Sequence, residues 1–405
     1  MIANQSDSET TQILPVNGIQ AFVGQAGIKQ TEHDDVTLVL LNEHNSIAAV
    51  FTQNHFCAAP VRLAQRHLQG GLGIRALVIN TGNANAGTGQ QGFIDAEAVC
   101  AAVARQINCQ PEQVLPFSTG VILEPLPVQK IIQTLPTVKP VSLSQAAVAI
   151  MTTDTVPKIA SRTIDIDGQK IVFTGMAKGS GMIHPNMATM LGFIFTDAPI
   201  AQSLLQQMIT EIAQSSFNAI TVDGDTSTND SFVVVATGQA QIKHLIHDTD
   251  PHYQDIKTAL TDLALTLAQA IVRDGEGASK FITIHVKHAS TEDMARQVGF
   301  AIAHSPLVKT AFYASDANLG RIVCAVGNAG IHDMDINKIN IYLDNILVVE
   351  HGARAKNYTE EAGQRIMAEP EIRITVDLAQ GEAETKIYTC DLSKEYVAIN
   401  ADYRS

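Results

Sequence analysis

Short apolar runs broken by polar, glycine-bearing punctuation dominate the first half of the chain. TLVLL (37–41) and SIAAVF (46–51), divided by the polar run Asn42 to Asn45, predict two adjacent strands of an antiparallel meander. ALVIN (76–80) predicts a further strand that ends in TGNANAGTG. Ala96, Val99, Cys100, Val103 and Ile107 follow at helical spacing. A second helix is expected from Leu143 to Met151, and Asp167-Gly168 between TIDI and QKIVF is a two-residue hairpin signal. Met190 to Thr196 reads as a buried strand. Leu204, Leu205, Met208, Ile209 and Ile212 mark one face of an amphipathic helix, and SFVVVATG after 223–230 reads as a strand. Ile256, Leu260, Leu263, Leu267 and Ile271 predict a long helix over 253–273. FITIHV, the regions near 339–349 and 371–377 and the helices over 292–304 and 358–367 complete the pattern. YVAI near the end looks like a strand, so the tail with Asn400 and Ser405 is expected to be docked rather than frayed.

Composition narrows the function classes. At 45% hydrophobic and 17% charged, with no apolar run near the roughly 18 residues a membrane helix requires, the chain reads as a soluble enzyme with no membrane partner. A formal charge of −14 and the lack of a clustered Lys/Arg surface disfavour nucleic acid, leaving small molecules as expected partners. The five cysteines show no CxxC or Cys/His spacing, and most are expected to be small buried hydrophobes. No two histidines fall at i and i+4 on a convincing helix, so no metal ligand is assigned. MIANQSDSETTQ lacks the basic start and apolar segment of a secretion signal, which leads to the expectation of a cytoplasmic location.

Five stretches carry candidate chemistry. Strand, glycine-rich turn and helix around TGNANAGTG is how phosphate loops are built, yet neither GxGxxG nor GxxxxGK[ST] is present, so a tight turn is the plainer account. Ser118, Thr119 and Gly120 are expected to form a polar turn, either an ST-turn satisfying its own backbone or a hydroxyl and N–H pair aimed at an oxyanion. The acidic loop DGDTSTND (223–230) lacks the glycine and bidentate glutamate of a calcium loop and is expected to satisfy itself through Asx and ST turns. Glu276, between Gly275 and Gly277, sits in a turn where it would be solvated or would reach into a cleft.

The fifth stretch, KGSGMIHPNMATMLGFIFTDA (178–198), organises the rest. Thr189 lies where a glycine-broken loop enters a strand. If its Oγ attacks the Ala188 carbonyl, the peptide becomes an ester, and hydrolysis leaves Thr189 with a free α-amine that can serve as base for its own hydroxyl. A threonine entering a strand is also ordinary β-propensity.

KGSGMIHPNMATML closely resembles the processing site of the ornithine acetyltransferase (glutamate N-acetyltransferase) family of arginine biosynthesis. FTQNHFCAAPV, NTGNANAGTG, STGVI, IMTTDT, TVDGDTSTND, RDGEGASK, DANLGRI and YVAINADYRS resemble its other blocks in order. The resemblance implies a layered α/β sandwich like that of N-terminal-nucleophile enzymes, with a smaller C-terminal domain. It also implies self-cleavage between Ala188 and Thr189 into an α chain (1–188) and a β chain (189–405) that share one core and assemble as a heterotetramer of two α and two β. Thr189 would be the nucleophile and Thr119 and Gly120 the oxyanion hole. Thr152, Lys178, Thr189, Glu276, Asn400 and Ser405 would contact substrate, with Thr153 the alternative to Thr152. The implied reaction moves acetyl from N2-acetylornithine to glutamate, releasing ornithine and N-acetylglutamate, without cofactor or metal; acetyl-CoA is a second donor in bifunctional members. Two other readings are an N-terminal-nucleophile amidohydrolase or aminopeptidase, in which water resolves the acyl-enzyme, and a self-processing protein that only binds an amino acid.

Overall fold

The computed structural model describes residues 12–29, 32–184 and 190–402. These fall into two compact units: one runs to Asn218 and resumes over Asp225–Ile271, and the other comprises Ala219–Gly224 and the chain from Val272 onward. The units do not follow the 188/189 junction. No helix among the described residues is long and apolar enough to cross a membrane.

In chain order the first unit holds β1 (Ile19–Gly24), β2 (Val36–Leu41), β3 (Ser46–Phe51), α1 (Ala59–Gln69), β4 (Ala76–Asn83), α2 (Gly89–Ile107), β5 (Val114–Val121), α3 (Val128–Thr134), β6 (Lys139–Val141) and α4 (Leu143–Ala149). It continues with β7 (Lys158–Ile166), β8 (Gln169–Lys178), β9 (Leu191–Thr196), α5 (Gln202–Ser215), β10 (Ser231–Ala236) and α6 (Tyr253–Arg273), whose last two residues belong to the second unit. The strands form two sheets, ordered β5-β4-β2-β1-β6 and β3-β10-β9-β8-β7.

The two sheets share one core, in which Leu77, Ile79, Leu115 and Phe117 of the first meet Phe193, Phe195, Val233 and Val235 of the second. Phe117 and Phe193 pack edge to face at 5.2 Å. The opposite face of the first sheet, with Leu38 and Val78, is covered by Leu63 of α1, Val99 and Val103 of α2 and Ile131 of α3. Strands buried on both faces read as continuous apolar runs, which is why β4, β9 and β10 were legible. On the second sheet, α5 lies along edge strand β3, and its Gln202 and Gln206 amides bond the backbone of Ile47 and Ala49. That occupies groups which would otherwise template foreign strands.

Three local expectations need correction. β2 and β3 are strands, but they do not pair as a meander: β2 lies between β4 and β1, whereas β3 pairs with β10 in the other sheet. Ser118, Thr119 and Gly120 are the end of β5 rather than a turn, because their backbone pairs in parallel with β4. Of the cysteines, only Cys100 and Cys390 are buried; Cys57 and Cys109 are half-buried and Cys324 is exposed. The Asp167-Gly168 hairpin is as expected, with both central residues at positive φ (52° and 76°) and Ile166 opposite Gln169.

β8 pairs antiparallel with β9, Lys178 opposite Leu191. Segments on either side of the 188/189 junction therefore lie side by side in one sheet.

The second unit holds β11 (Phe281–Ala289), α7 (Glu292–Ala303), α8 (Pro306–Tyr313), α9 (Leu319–Gly327), β12 (Asn340–Leu343), β13 (Ile346–Glu350), β14 (Ala353–Arg354), α10 (Glu360–Met367), β15 (Glu371–Asp377), β16 (Ala383–Cys390) and α11 (Lys394–Ala401). Its sheet runs β14-β13-β12-β15-β11-β16, with α7 lying on β11 and β16. The tail is a helix, correcting the strand expectation for YVAI: Ser393 caps it by accepting from the Tyr396 N–H.

Candidate active site

β4 and β5 run parallel until Gly82 and Gly120, where the register breaks. Gly120 has φ +134°, and a Cβ there would lie 2.2 Å from the Gly82 carbonyl carbon, so only glycine fits. Alternation along β5 separates the two hydroxyls beside it. Ser118 Oγ donates to Asn80 Oδ1 at 2.6 Å, and Asn229 Nδ2 donates to the Ser118 and Ala84 carbonyls, fixing the strand ends. The Thr119 hydroxyl, with the residue 8% exposed, accepts from Lys178 Nζ at 3.2 Å.

Lys178 ends β8 and is 9% exposed. Behind it lies Asp154, a residue not singled out from the sequence. Its Oδ1 accepts from Lys158 Nζ at 2.5 Å and from the Gly179 N–H at 2.7 Å, and its Oδ2 accepts from the Thr152 N–H at 3.0 Å. The Asp154 and Lys158 side chains are 0% and 1% exposed. Burial alone would raise the Asp154 pKa, but Lys178 and Lys158, together with the Gly179 N–H, outweigh it and hold the carboxyl at about 2. Asp154 therefore ties the 152–154 loop, the first residue of β7 and the exit of β8 to one charge.

The 152–153 pair divides in the same way. Thr153 Oγ1 bonds Ser180 Oγ at 2.7 Å, whereas the Thr152 hydroxyl has no partner among the described residues. Lys29 is a second residue that the sequence did not flag. Its Nζ donates to the Met151 carbonyl at 3.0 Å, and burial pushes its pKa down against the opposing pull of Asp154 and Asp35. No motif marks either residue, because their partners lie far away in sequence.

The second unit brings Glu276 and Asn400 together. Glu276 is 9% exposed rather than solvated, and its Oε2 accepts from Asn400 Nδ2 at 2.8 Å. Asn400 is docked, though on α11. The 274–280 turn is pinned by Asp391, which accepts from the Ser279 and Lys280 N–H groups at 2.8 and 2.9 Å. Gly277 has φ +68°, and a Cβ there would reach the Tyr396 nitrogen at 2.5 Å, so glycine is needed for α11 to approach.

The 223–230 loop bonds itself in part, the Asn229 N–H donating to Ser227 Oγ at 3.2 Å and Thr228 Oγ1 to Asn229 Oδ1 at 2.6 Å, but it also reaches outward: Thr226 Oγ1 donates to the His184 carbonyl and Asn229 Nδ2 to those of Ala84 and Ser118. Ala188, Thr189 and Ser405 lie outside the described residues.

A model of the ArgJ family matches residues 20–405. The chain is 58% identical over 406 residues to proteins named arginine biosynthesis bifunctional protein ArgJ from Neisseria meningitidis (serogroup A) and Neisseria gonorrhoeae, with all of both chains covered in each case. A crystal structure of the arginine biosynthesis bifunctional protein from Bacillus halodurans is 39% identical with a TM-score of 0.51, covering 53% of this chain and all of that one. With the family pattern running from β1 to the C-terminal residue and whole-length relatives at this identity, the chain belongs to the ArgJ family.

Proposed function

We propose that this protein, an acetyltransferase of arginine biosynthesis, first cuts itself at Ala188/Thr189 and then carries acetyl from N2-acetylornithine to glutamate on Thr189. In processing, Thr189 Oγ adds to the Ala188 carbonyl, the C–N bond breaks to give an ester, and water releases the Ala188 carboxylate and a free Thr189 amine. That amine, with an unperturbed pKa of about 7.7 to 8.0, is basic enough to take the hydroxyl proton near neutrality. The alkoxide attacks the acetyl carbonyl, and the proton passes to the departing ornithine nitrogen. The glutamate α-amine then takes the acetyl group and frees Thr189.

The observation that carries the reading is the Lys178–Thr119 contact. Because the ammonium donates to the Thr119 oxygen, the hydroxyl's own proton points elsewhere, and the cation makes it a stronger donor. A polarised O–H beside a glycine N–H suits a tetrahedral oxyanion in both reactions. Lys178 and the uncommitted Thr152 hydroxyl suit a substrate carboxylate, and Glu276 with Asn400 suits ornithine's side-chain ammonium. The pairing of β8 with β9 supports two cleavage products held in one sheet. The Bacillus halodurans chain, matched whole over 53% of this one, suits a family whose members are divided into two chains. Acetyl-CoA as a second donor, cytoplasmic location and an assembly of two α and two β chains belong to the same proposal.

Incubation with N-acetylornithine, with and without glutamate, tests it. N-acetylglutamate should form only with glutamate, the smaller cleavage products should begin with TMLGF, and Thr189→Ala should remain one inactive, folded chain. Acetate release without glutamate would instead make the protein a hydrolase, and a two-band gel from Thr189→Ala would remove the processing step.

A further inference from the structure

The glycine turn after β4 lies against a cavity whose described lining includes none of the residues assigned to acetyl exchange. This cavity, of about 610 Å³, is within the usual range for a small-molecule site. Its wall includes His55, Phe56, Arg62, Arg66, Thr88 and Phe93, and among the described residues no carboxylate lines it. Arg62 and Arg66 stand one turn apart on the exposed side of α1, in a chain whose net charge is −14. Among the described residues no carboxylate pairs with Arg62, which reaches the His55 carbonyl at 3.4 Å and the Cys57 side chain. Arg66 meets Glu97 at 3.0 Å, but both groups are at least half exposed, and such a pair is worth little in water.

The opposite wall is built for the same sign of ligand. Gly87 and Gly89, at φ +68° and +60°, turn the chain into α2, which runs for 19 residues. Thr88 occupies its N-cap position but does not cap it, because its hydroxyl is turned to Asn85 Oδ1 at 2.9 Å. No acidic residue lies in the first turn. The helix thus leaves its leading N–H groups and positive end beside two guanidinium groups. Flat apolar surface completes the site: Phe56 is 75% exposed, an unusual position for a large ring, and Phe93 lies under Arg66 at 4.7 Å.

We propose that this cavity binds a nucleotide phosphate, with phosphate on Arg62, Arg66 and the start of α2 and the base stacked on Phe56. Planar, bidentate guanidinium groups recognise phosphate, and an exposed ring offers a base the stacking it prefers. A free adenosine nucleotide and the nucleotide end of a coenzyme A thioester share this chemistry. The site is also joined to the catalytic segment. The 52–58 loop that forms one wall holds the 226–228 backbone through Thr52 Oγ1, Asn54 Nδ2 and the Ala58 N–H, and Thr226 in turn holds the His184 carbonyl.

Calorimetric titration of the purified full-length protein with ADP, coenzyme A and inorganic phosphate tests the inference. ADP and coenzyme A should each saturate one site, and Arg62→Ala/Arg66→Ala should weaken both by at least about tenfold. Phe56→Ala should weaken ADP and coenzyme A but not phosphate. Acetyl exchange between N-acetylornithine and glutamate, assayed without nucleotide, should be unchanged in all these variants, so the inference stands or falls separately from the exchange reaction. Coenzyme A binding more than tenfold tighter than ADP assigns the site to the thioester, and equal binding assigns it to a free nucleotide. Absence of saturable ADP binding, phosphate binding as tight as ADP, or affinity unaltered by the double substitution would overturn the inference.

Discussion

At the exit of β8, two lysines and a carboxylate are packed against one another almost out of water, whereas Glu276 is held, among the described residues, by the neutral amide of Asn400. The first group depends on its carboxylate, since removing Asp154 leaves two lysines buried without compensation. The second is modular: loss of Glu276 leaves Asn400 exposed to solvent, and loss of Asn400 leaves Glu276 the substrate as an alternative partner. Charged residues can thus fail in different ways, one group through the fold and the other through binding alone.

The sharpest way to break this contrast is Asp154→Asn. Loss of the anion between Lys158 and Lys178 should cost about 3 to 5 kcal/mol of stability and remove most activity, because Lys178 would no longer be held against Thr119. Urea unfolding and turnover measure the two effects. The pH dependence follows from the same charge. The folded-state pKa lies below the unfolded one, so the stabilisation is complete above the unfolded value near 4 and is lost as pH falls toward about 2. Wild-type stability should decline through that window by on the order of 2 kcal/mol from this group, and the asparagine variant should lack that component. A flat wild-type profile between pH 4 and 2 would remove Asp154 as the organising charge.

Thr119→Ala comes next. Its effect should fall on turnover, about 100-fold to 1,000-fold, with KM little altered, since the hydroxyl meets charge that develops in the transition state. Cleavage should slow as well. Thr119→Ser should restore most of both, and normal processing in Thr119→Ala would separate the two oxyanions.

Glu276→Gln should raise KM for N-acetylornithine by roughly 10-fold to 100-fold while stability stays within about 1 kcal/mol of wild type. Equal losses of stability at Glu276 and Asp154 would abolish the contrast drawn here.

The sequence is legible where burial or turn chemistry is local. β4, β9, β10 and α6 announce themselves by apolar runs or spacing, and Asp167-Gly168 by its turn type. Pairing is not local: β2 and β3 are neighbours in the chain, yet Ile47 and Ala49 find their partners in β10, far along the sequence. Ser118 to Gly120 looked like a turn because glycine and hydroxyls usually mark one; the close approach of Gly82 explains them instead. YVAI has strand-like residues, but a serine cap and the Glu276 contact make it the body of a helix. Asp154 and Lys29 were invisible for a related reason. An aspartate after TT and a lysine in a loop carry no motif, and their meaning comes from Lys178, Met151 and Gly179 in space.

The smallest effect is also the most discriminating within one loop. Thr152 and Thr153 are adjacent and chemically identical, but among the described residues only Thr153 has its hydroxyl bonded, to Ser180. Thr153→Ala should therefore cost about 1 kcal/mol of stability and leave KM unchanged. Thr152→Ala should leave stability unchanged and raise KM by up to about tenfold, the worth of one hydrogen bond to a charged ligand group. Steady-state kinetics and urea midpoints on the two variants decide it. An exchange of the two phenotypes would place the substrate on Thr153 and make the Ser180 bond one that opens when substrate arrives.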